Sequence, residues 1–200
     1  MNLISLRRVS VTALCAGALV AGCGSSSTPS ATPATTGASG ATAAPSPSAA
    51  GANPALTVAL TPGDLPAGAT GYTQASDGLL GTTPNTDARV FADATSTTLI
   101  EVDLAVDTGA SAATTDYGAY MASASKKVAT QTGQSTPSIG SQANEYVGTD
   151  SNGRSIVSLS FVQGSVICVV IMIAKSATVD ASVVEAVAGN QAQKIIAANL

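Results

Sequence analysis

The sequence predicts an α+β domain, an antiparallel sheet with two main helices packed on it, preceded by a disordered tether. Three observations carry this. Ile100, Val102, Leu104 and Val106 alternate with Glu101, Asp103, Ala105 and Asp107, the period of a strand with one wet face. The apolar runs 155–162 and 165–174 are separated by Gln163-Gly164 alone, which favours a tight hairpin. Before and after these strands lie stretches with apolar residues three and four apart, the spacing of amphipathic helices. A parallel, doubly wound sheet would need crossover helices where this chain offers only turns.

In chain order, Arg7 and Arg8 precede an apolar stretch from Leu14 to Ala21, and Val20-Ala21-Gly22-Cys23 closes it. A basic start, a short hydrophobic segment and small residues before a cysteine form a lipobox-type secretory signal over residues 1–22. Cleavage is expected after Gly22, with diacylglyceryl and N-acyl groups on Cys23 as the link to the membrane. Ordinary cleavage without lipid gives that cysteine no role. A retained anchor is disfavoured, because the apolar part from Val9 to Val20 is shorter than the ~20 residues a spanning helix needs. The expected location is therefore the extracytoplasmic face of the cell membrane, held by lipid.

Residues 23–55 read as a linker. From Gly24 to Ala55 every residue except Asn53 is Ser, Thr, Ala, Gly or Pro, so the segment has no side chain able to build a core and offset the entropy of folding. Such a coil reaches on the order of 30 Å on average and ~100 Å when drawn out. The folded domain is expected over residues 56–200. Leu, Ile, Val and Phe supply 34 of those residues, about 23%, just above the ~20% floor below which chains stay unfolded.

Within the domain, Thr61-Pro62-Gly63-Asp64 predicts a brief helix start with Thr61 as cap, stopped by Leu65-Pro66-Ala67-Gly68. Strand signals near 71–75 and 88–91 are weak; the strand from Leu99 is the firmest. Asp107-Thr108-Gly109 breaks it. Residues 111–129 then place Ala113, Tyr117, Tyr120, Met121, Ala124 and Val128 on one helical stripe, with Lys126 and Lys127 in the last turn, where cations suit the helix dipole. Residues 130–138 read as a polar loop. A strand near 142–148, a turn at Asp150-Ser151-Asn152-Gly153 and the hairpin follow. A final helix starts near Asp180, which with Ser182 is a candidate cap, and carries Val184, Val187, Ala188, Ala192, Ile195 and Ile196 on one side.

With Gln163 and Gly164 as the turn, Phe161 faces Val166, Leu159 faces Cys168 and Val157 faces Val170, and all six share the core face. The opposite face of the last strand then carries Ile167, Val169, Ile171 and Ile173. Four aliphatic side chains on a nominally wet face require a cover. One reading is the second helix or the segment 56–80; the other is an apolar face for a lipid tail, a protein partner or a second copy.

Charge and composition narrow the chemistry. Without Arg7 and Arg8, six of the eight basic residues remain against twelve acids, so the mature chain is acidic and nucleic acid is not an expected partner. There is no His, which removes Ser-His-Asp catalysis and the commonest zinc ligand. Ser123-Ala124-Ser125-Lys126 matches Ser-x-x-Lys but falls at a helix end without companion motifs. Glu101, Asp103 and Asp107 share a strand face and read as solvated carboxylates rather than a cation site. Asp150-Ser151-Asn152-Gly153 lacks the later ligands of a calcium loop. Sugar binding lacks its aromatic platforms, with no Trp, four Tyr and two Phe. Cys15 leaves with the signal and Cys23 is lipid-linked, so Cys168, inside an apolar run, is expected as a buried thiol. No cofactor, metal or catalytic residue is expected.

The lipobox, the Ser/Thr/Pro/Ala linker and the Ala-rich, low-charge body resemble small lipoproteins of actinobacteria. Asp64-Leu65-Pro66-Ala67-Gly68, Ile139-Gly140-Ser141-Gln142-Ala143 and Phe161-Val162-Gln163-Gly164-Ser165-Val166 are similar to segments of mycobacterial lipoproteins related to the extracellular sensor domain of the PknH kinase. That resemblance implies an α+β sensor or ligand-binding fold with a cleft and no enzymatic role. This chain lacks the paired cysteines that brace the kinase domain, and no site residue transfers. The expected function is a membrane-anchored domain that binds an apolar or cell-wall-derived envelope ligand or a protein partner, or else a structural lipoprotein without a small ligand.

Overall fold

The computed structural model describes residues 53–78, 85–175 and 177–200. The expected signal peptide, Gly22, Cys23 and nearly all of the expected linker lie outside them. Seven strands form one antiparallel sheet: β1 Thr73–Gly78, β2 Thr86–Ala92, β3 Thr98–Val106, β4 Thr130–Ser135, β5 Gln142–Thr149, β6 Ser155–Gln163 and β7 Val166–Ala174. Their order is β1-β2-β3-β7-β6-β5-β4, so the hairpin β6-β7 lies centrally beside β3. The helices are α1 Pro54–Val58, α2 Ala110–Lys126 and α3 Ala181–Ala198. The α+β class is what the alternation and the helical stripes predict.

Where sequence and structure differ, the reasons are physical. Residues 130–135 form edge strand β4, not a loop; they hold no apolar side chain and are nearly all exposed, so no alternation betrays them. Pro54–Val58 is helical, capped by Asn53, whose side chain accepts from the Ala55 N–H. The domain thus begins slightly earlier than the composition implies. The hairpin turns at Gly164-Ser165, pairing Gln163 with Val166 and Phe161 with Cys168. Gly164 takes φ +57°, and a Cβ there would run into the Leu200 carbonyl. This two-residue slip preserves parity, so Val157, Leu159, Phe161, Val166, Cys168 and Val170 still share one face.

That face meets α3 and the segment 53–70. Phe91, Ile100, Phe161, Cys168 and Val170 pack there with Val184, Val187 and Ile195 of α3 and with Val58 and Leu60, all fully or almost fully buried. The segment is strapped down by side chains that grip its backbone carbonyls. Gln191 Nε2 donates to Val58 (2.8 Å), Lys194 Nζ to Ala59 (3.2 Å), Arg89 Nη1 to Leu60 (3.1 Å) and Asn190 Nδ2 to Asp64 (2.7 Å). The predicted start at Thr61 is a one-turn 3₁₀ helix over Pro62–Asp64 with a capping box, in which Asp64 Oδ2 also accepts from Lys194 Nζ at 2.7 Å. At the other helix start, Asp180 caps α3 by accepting from the Ser182 N–H.

Candidate functional site

The second face of β7 is where sequence reasoning located a candidate apolar ligand or partner surface. Ile167, Val169 and Ile171 are 1%, 6% and 0% exposed, and Ile173 is half-buried. The segment 56–80 is not the cover; a helix is. Helix α2 crosses over from β3 and lies on this face, so of the two readings the structure matches the covered one and not the open apolar face. The helix crosses here because Tyr117, Tyr120, Met121, Ala124 and Val128 form its apolar stripe, and β5, β6 and β7 present the complementary surface.

The seal is built from two small clusters. Toward the start of α2, Ala113 and Tyr117 pack on Val162 and Ile167. Toward its end, Ala124 and Val128 pack with Tyr146, Ile156, Val169 and Ile171, and Tyr120 and Met121 adjoin both clusters. Polar contacts divide the same way. The buried Tyr117 hydroxyl donates to the Ser160 carbonyl at 2.9 Å and accepts from Asn144 Nδ2 at 3.1 Å. Near the other end, Ser158 Oγ reaches the Ala124 carbonyl at 3.4 Å, a long bond, and Lys127 Nζ meets Glu101 Oε1 at 3.2 Å in a half-exposed pair.

Beside that end runs the acidic row of β3. Glu101 pairs across the ladder with Ile171, and Asp103 with Val169. Asp103 is not a freely solvated carboxylate: its Oδ1 is buried without a hydrogen-bond partner. Burial and the neighbouring Glu101 push its pKa up to about 7, against a smaller opposing pull from Lys127. Asp107 Oδ2 is likewise buried and unpartnered; burial raises its pKa, with Asp116 adding to the effect. No group of three or more His, Cys, Asp or Glu among the described residues is placed to hold a metal ion.

Two further features were not legible in the sequence. Glu145 on β5 is 4% exposed on the α3 face, with Oε1 accepting from Ser135 Oγ at 3.0 Å and Oε2 unpartnered. Burial raises its pKa, and Glu185 of α3 adds to this against the Ser135 hydrogen bond. Residues 136–144 line a hollow of about 540 Å³ that opens to solvent. It contains Ile139-Gly140-Ser141-Gln142-Ala143, and at its rim Asn144 of β5 donates to the Tyr117 hydroxyl of α2.

The remaining motifs resolve simply. Cys168 is a free, fully buried thiol whose pKa burial pushes well above the ordinary range, so it packs as a small hydrophobe. Asp150 accepts from the Asn152 and Arg154 N–H groups and pairs with the Arg154 guanidinium, closing the β5-β6 turn. Ser123 to Lys126 form the last turn of α2. Among the described residues no helix is long and apolar enough to cross a membrane. No protein-family model matches the chain, and comparisons with curated proteins and with solved structures give no match.

Proposed function

We propose that this chain is a lipoprotein, anchored through acyl groups on Cys23 to the extracytoplasmic face of the cell membrane, whose domain binds a protein or cell-wall partner through its outer surface. The signal-like segment ending in Gly22-Cys23 carries the anchoring half of the reading. The binding half rests on one observation: Ile167, Val169 and Ile171 lie under α2, which leaves surface features such as the polar hollow of residues 136–144 for recognition. An enclosed apolar ligand would first need α2 displaced. The proposal includes no enzymatic step, in keeping with a chain that has no histidine to act as general base.

Fractionation of the full-length protein and a Cys23→Ala variant tests the anchor. The parent is expected with membranes and the variant in the soluble fraction; equal membrane retention of both, in detergent-resistant form, would overturn it. Native mass spectrometry of the membrane-extracted parent tests the rest. It should report acyl mass on Cys23 and a co-purified protein or cell-wall fragment, whereas a stoichiometric free lipid in the domain would restore the apolar-ligand alternative.

A further inference from the structure

We infer that the second half of α2 is a pH-responsive lid over Val169 and Ile171, clasped by Lys127 on Glu101 and released by ionisation of Asp103. The geometry makes this half the movable one. Tyr117 fixes the first half through a buried hydrogen bond to the Ser160 carbonyl and a partly buried one from Asn144. Gly118 follows at once, with open space where a Cβ would lie, so no packing requires a glycine that costs the helix about 1 kcal/mol. Beyond it Tyr120, Met121 and Ala124 pack on the sheet, and the side-chain polar ties are the long Ser158 bond and the exposed Lys127–Glu101 pair.

Asp103 sits where a charge strains that closure. It shares its strand face with Glu101, two residues away, and its orphaned Oδ1 is shut from water. The other groups acting on it are Lys127 and Tyr120 from α2, Asp87 from β2 and, from the far face of β7, the Cys168 thiol. Lys127 is the cation among them, and it is already engaged by Glu101. A protonated Asp103 leaves one carboxylate to one ammonium and tolerates the closed lid. An ionised Asp103 adds a second carboxylate with no donor for Oδ1, and lifting the last turns of α2 hydrates it. The sign follows from a carboxyl pKa that is raised only while the lid is closed. Closure is fully favoured below the ordinary carboxylate range and weakens as pH climbs to about 7.

Hydrogen exchange on the intact mature protein, corrected for intrinsic rates, tests this directly. Protection of amides 119–127 should fall at least about tenfold between pH 5 and pH 7.5, with amides 111–117 and those of α3 serving as internal references. In Asp103→Asn the fall should vanish, and in Lys127→Met protection over 119–127 should be low at both pH values. If amides 119–127 keep the same pH profile as α3 in the parent, or if Asp103→Asn retains the fall, the lid is overturned.

Discussion

The two faces of the sheet are built from alternate residues of the same strands, yet they are sealed in different ways. On the α3 face, Val170 and Cys168 belong to a continuous core that runs from α1 through Phe91, Ile100 and Phe161 to Ile195. On the α2 face, their chain neighbours Val169, Ile171 and Ile167 meet two separate clusters, with Ser158 and Ser160 buried beneath the helix and acids beside it. One face is a single continuous cluster; the other is two smaller ones. Burial alone does not separate them, since Ile171 and Val170 are both fully buried. What separates them is whether the cluster is continuous and whether polar groups interrupt the contact.

Truncating a large side chain on each face should expose this difference most strongly. Phe161→Ala, in the α3-side core, is expected to cost about 3–5 kcal/mol of unfolding free energy, and Ile171→Ala about 2–4 kcal/mol. Urea melts read by far-UV circular dichroism provide the values. The comparison breaks if Ile171→Ala costs more than Phe161→Ala, or if it lowers protection throughout α3 as much as in α2.

Gln191→Ala should come next, at about 2 kcal/mol. Gln191 is fully buried and donates to the Val58 carbonyl 133 residues away, so truncation opens a hole and strands that carbonyl. Because the grip is on the strap, limited proteolysis near Pro54–Leu60 should accelerate more than global stability falls. Equal acceleration at α2 would argue that the strap and the lid are one cooperative unit.

How far the sequence discloses these faces depends on how local the cause is. The face shared by Phe161, Cys168 and Val170 is legible because period-two alternation survives a two-residue error in the turn. The stripe of α2 is legible too, but which sheet face it covers is not, since that depends on how the chain crosses from β3. Thr61's capping box lies within four residues and can be read; the grip of Asn190, Gln191 and Lys194 on the strap spans more than 120 residues and cannot. Asp103 misleads for a similar reason. Its place in the alternation marks it as wet, and its buried Oδ1 follows from α2, Glu101 and the neighbouring strands closing around it. Of the candidate site, the four aliphatic residues of β7 and their need of a cover were legible, and which element supplies it was not; Cys23 rests on the sequence alone.

Asp103→Asn turns the α2 face into a pH experiment. The folded-state pKa is raised from 3.8 to about 7, so the folded protein keeps a proton the unfolded chain gives up, and stability falls as pH rises between those values. Removing the ionisable group should leave stability little changed at pH 4 and raise it by about 1–2 kcal/mol at pH 8, below the full ~1.4 kcal/mol per unit because the end of α2 can open and hydrate the charge. Thermal melts at both pH values measure the difference. A variant that is equally destabilised at pH 4 and pH 8 would mean the carboxyl is held by a contact rather than strained by its charge.

The strap on the α3 face should respond to acid with the opposite sign, and more weakly. Burial alone would raise the Asp64 pKa, but hydrogen bonds from Lys194 and Thr61 outweigh it and hold the group at about 2. A carboxylate depressed in the folded state contributes stability above its unfolded value near 3.8 and loses it as pH falls toward 2. The Lys194–Asp64 pair is roughly one-third exposed on each side, so solvent screens it and the contribution is about 1 kcal/mol or less. Asp64→Asn should therefore lower stability slightly at pH 6 and converge with the parent at pH 2, with the loss at pH 6 reduced in 1 M salt. Acid then loosens the strap while it tightens the lid. Proteolysis of the parent would show the crossing directly: cleavage near Pro62–Leu65 rising from pH 5 to pH 2.5, cleavage in Ala119–Lys127 rising from pH 5 to pH 7.5. Should both segments become labile in the same direction, the strap and the end of α2 share one electrostatic response and the division drawn between them fails.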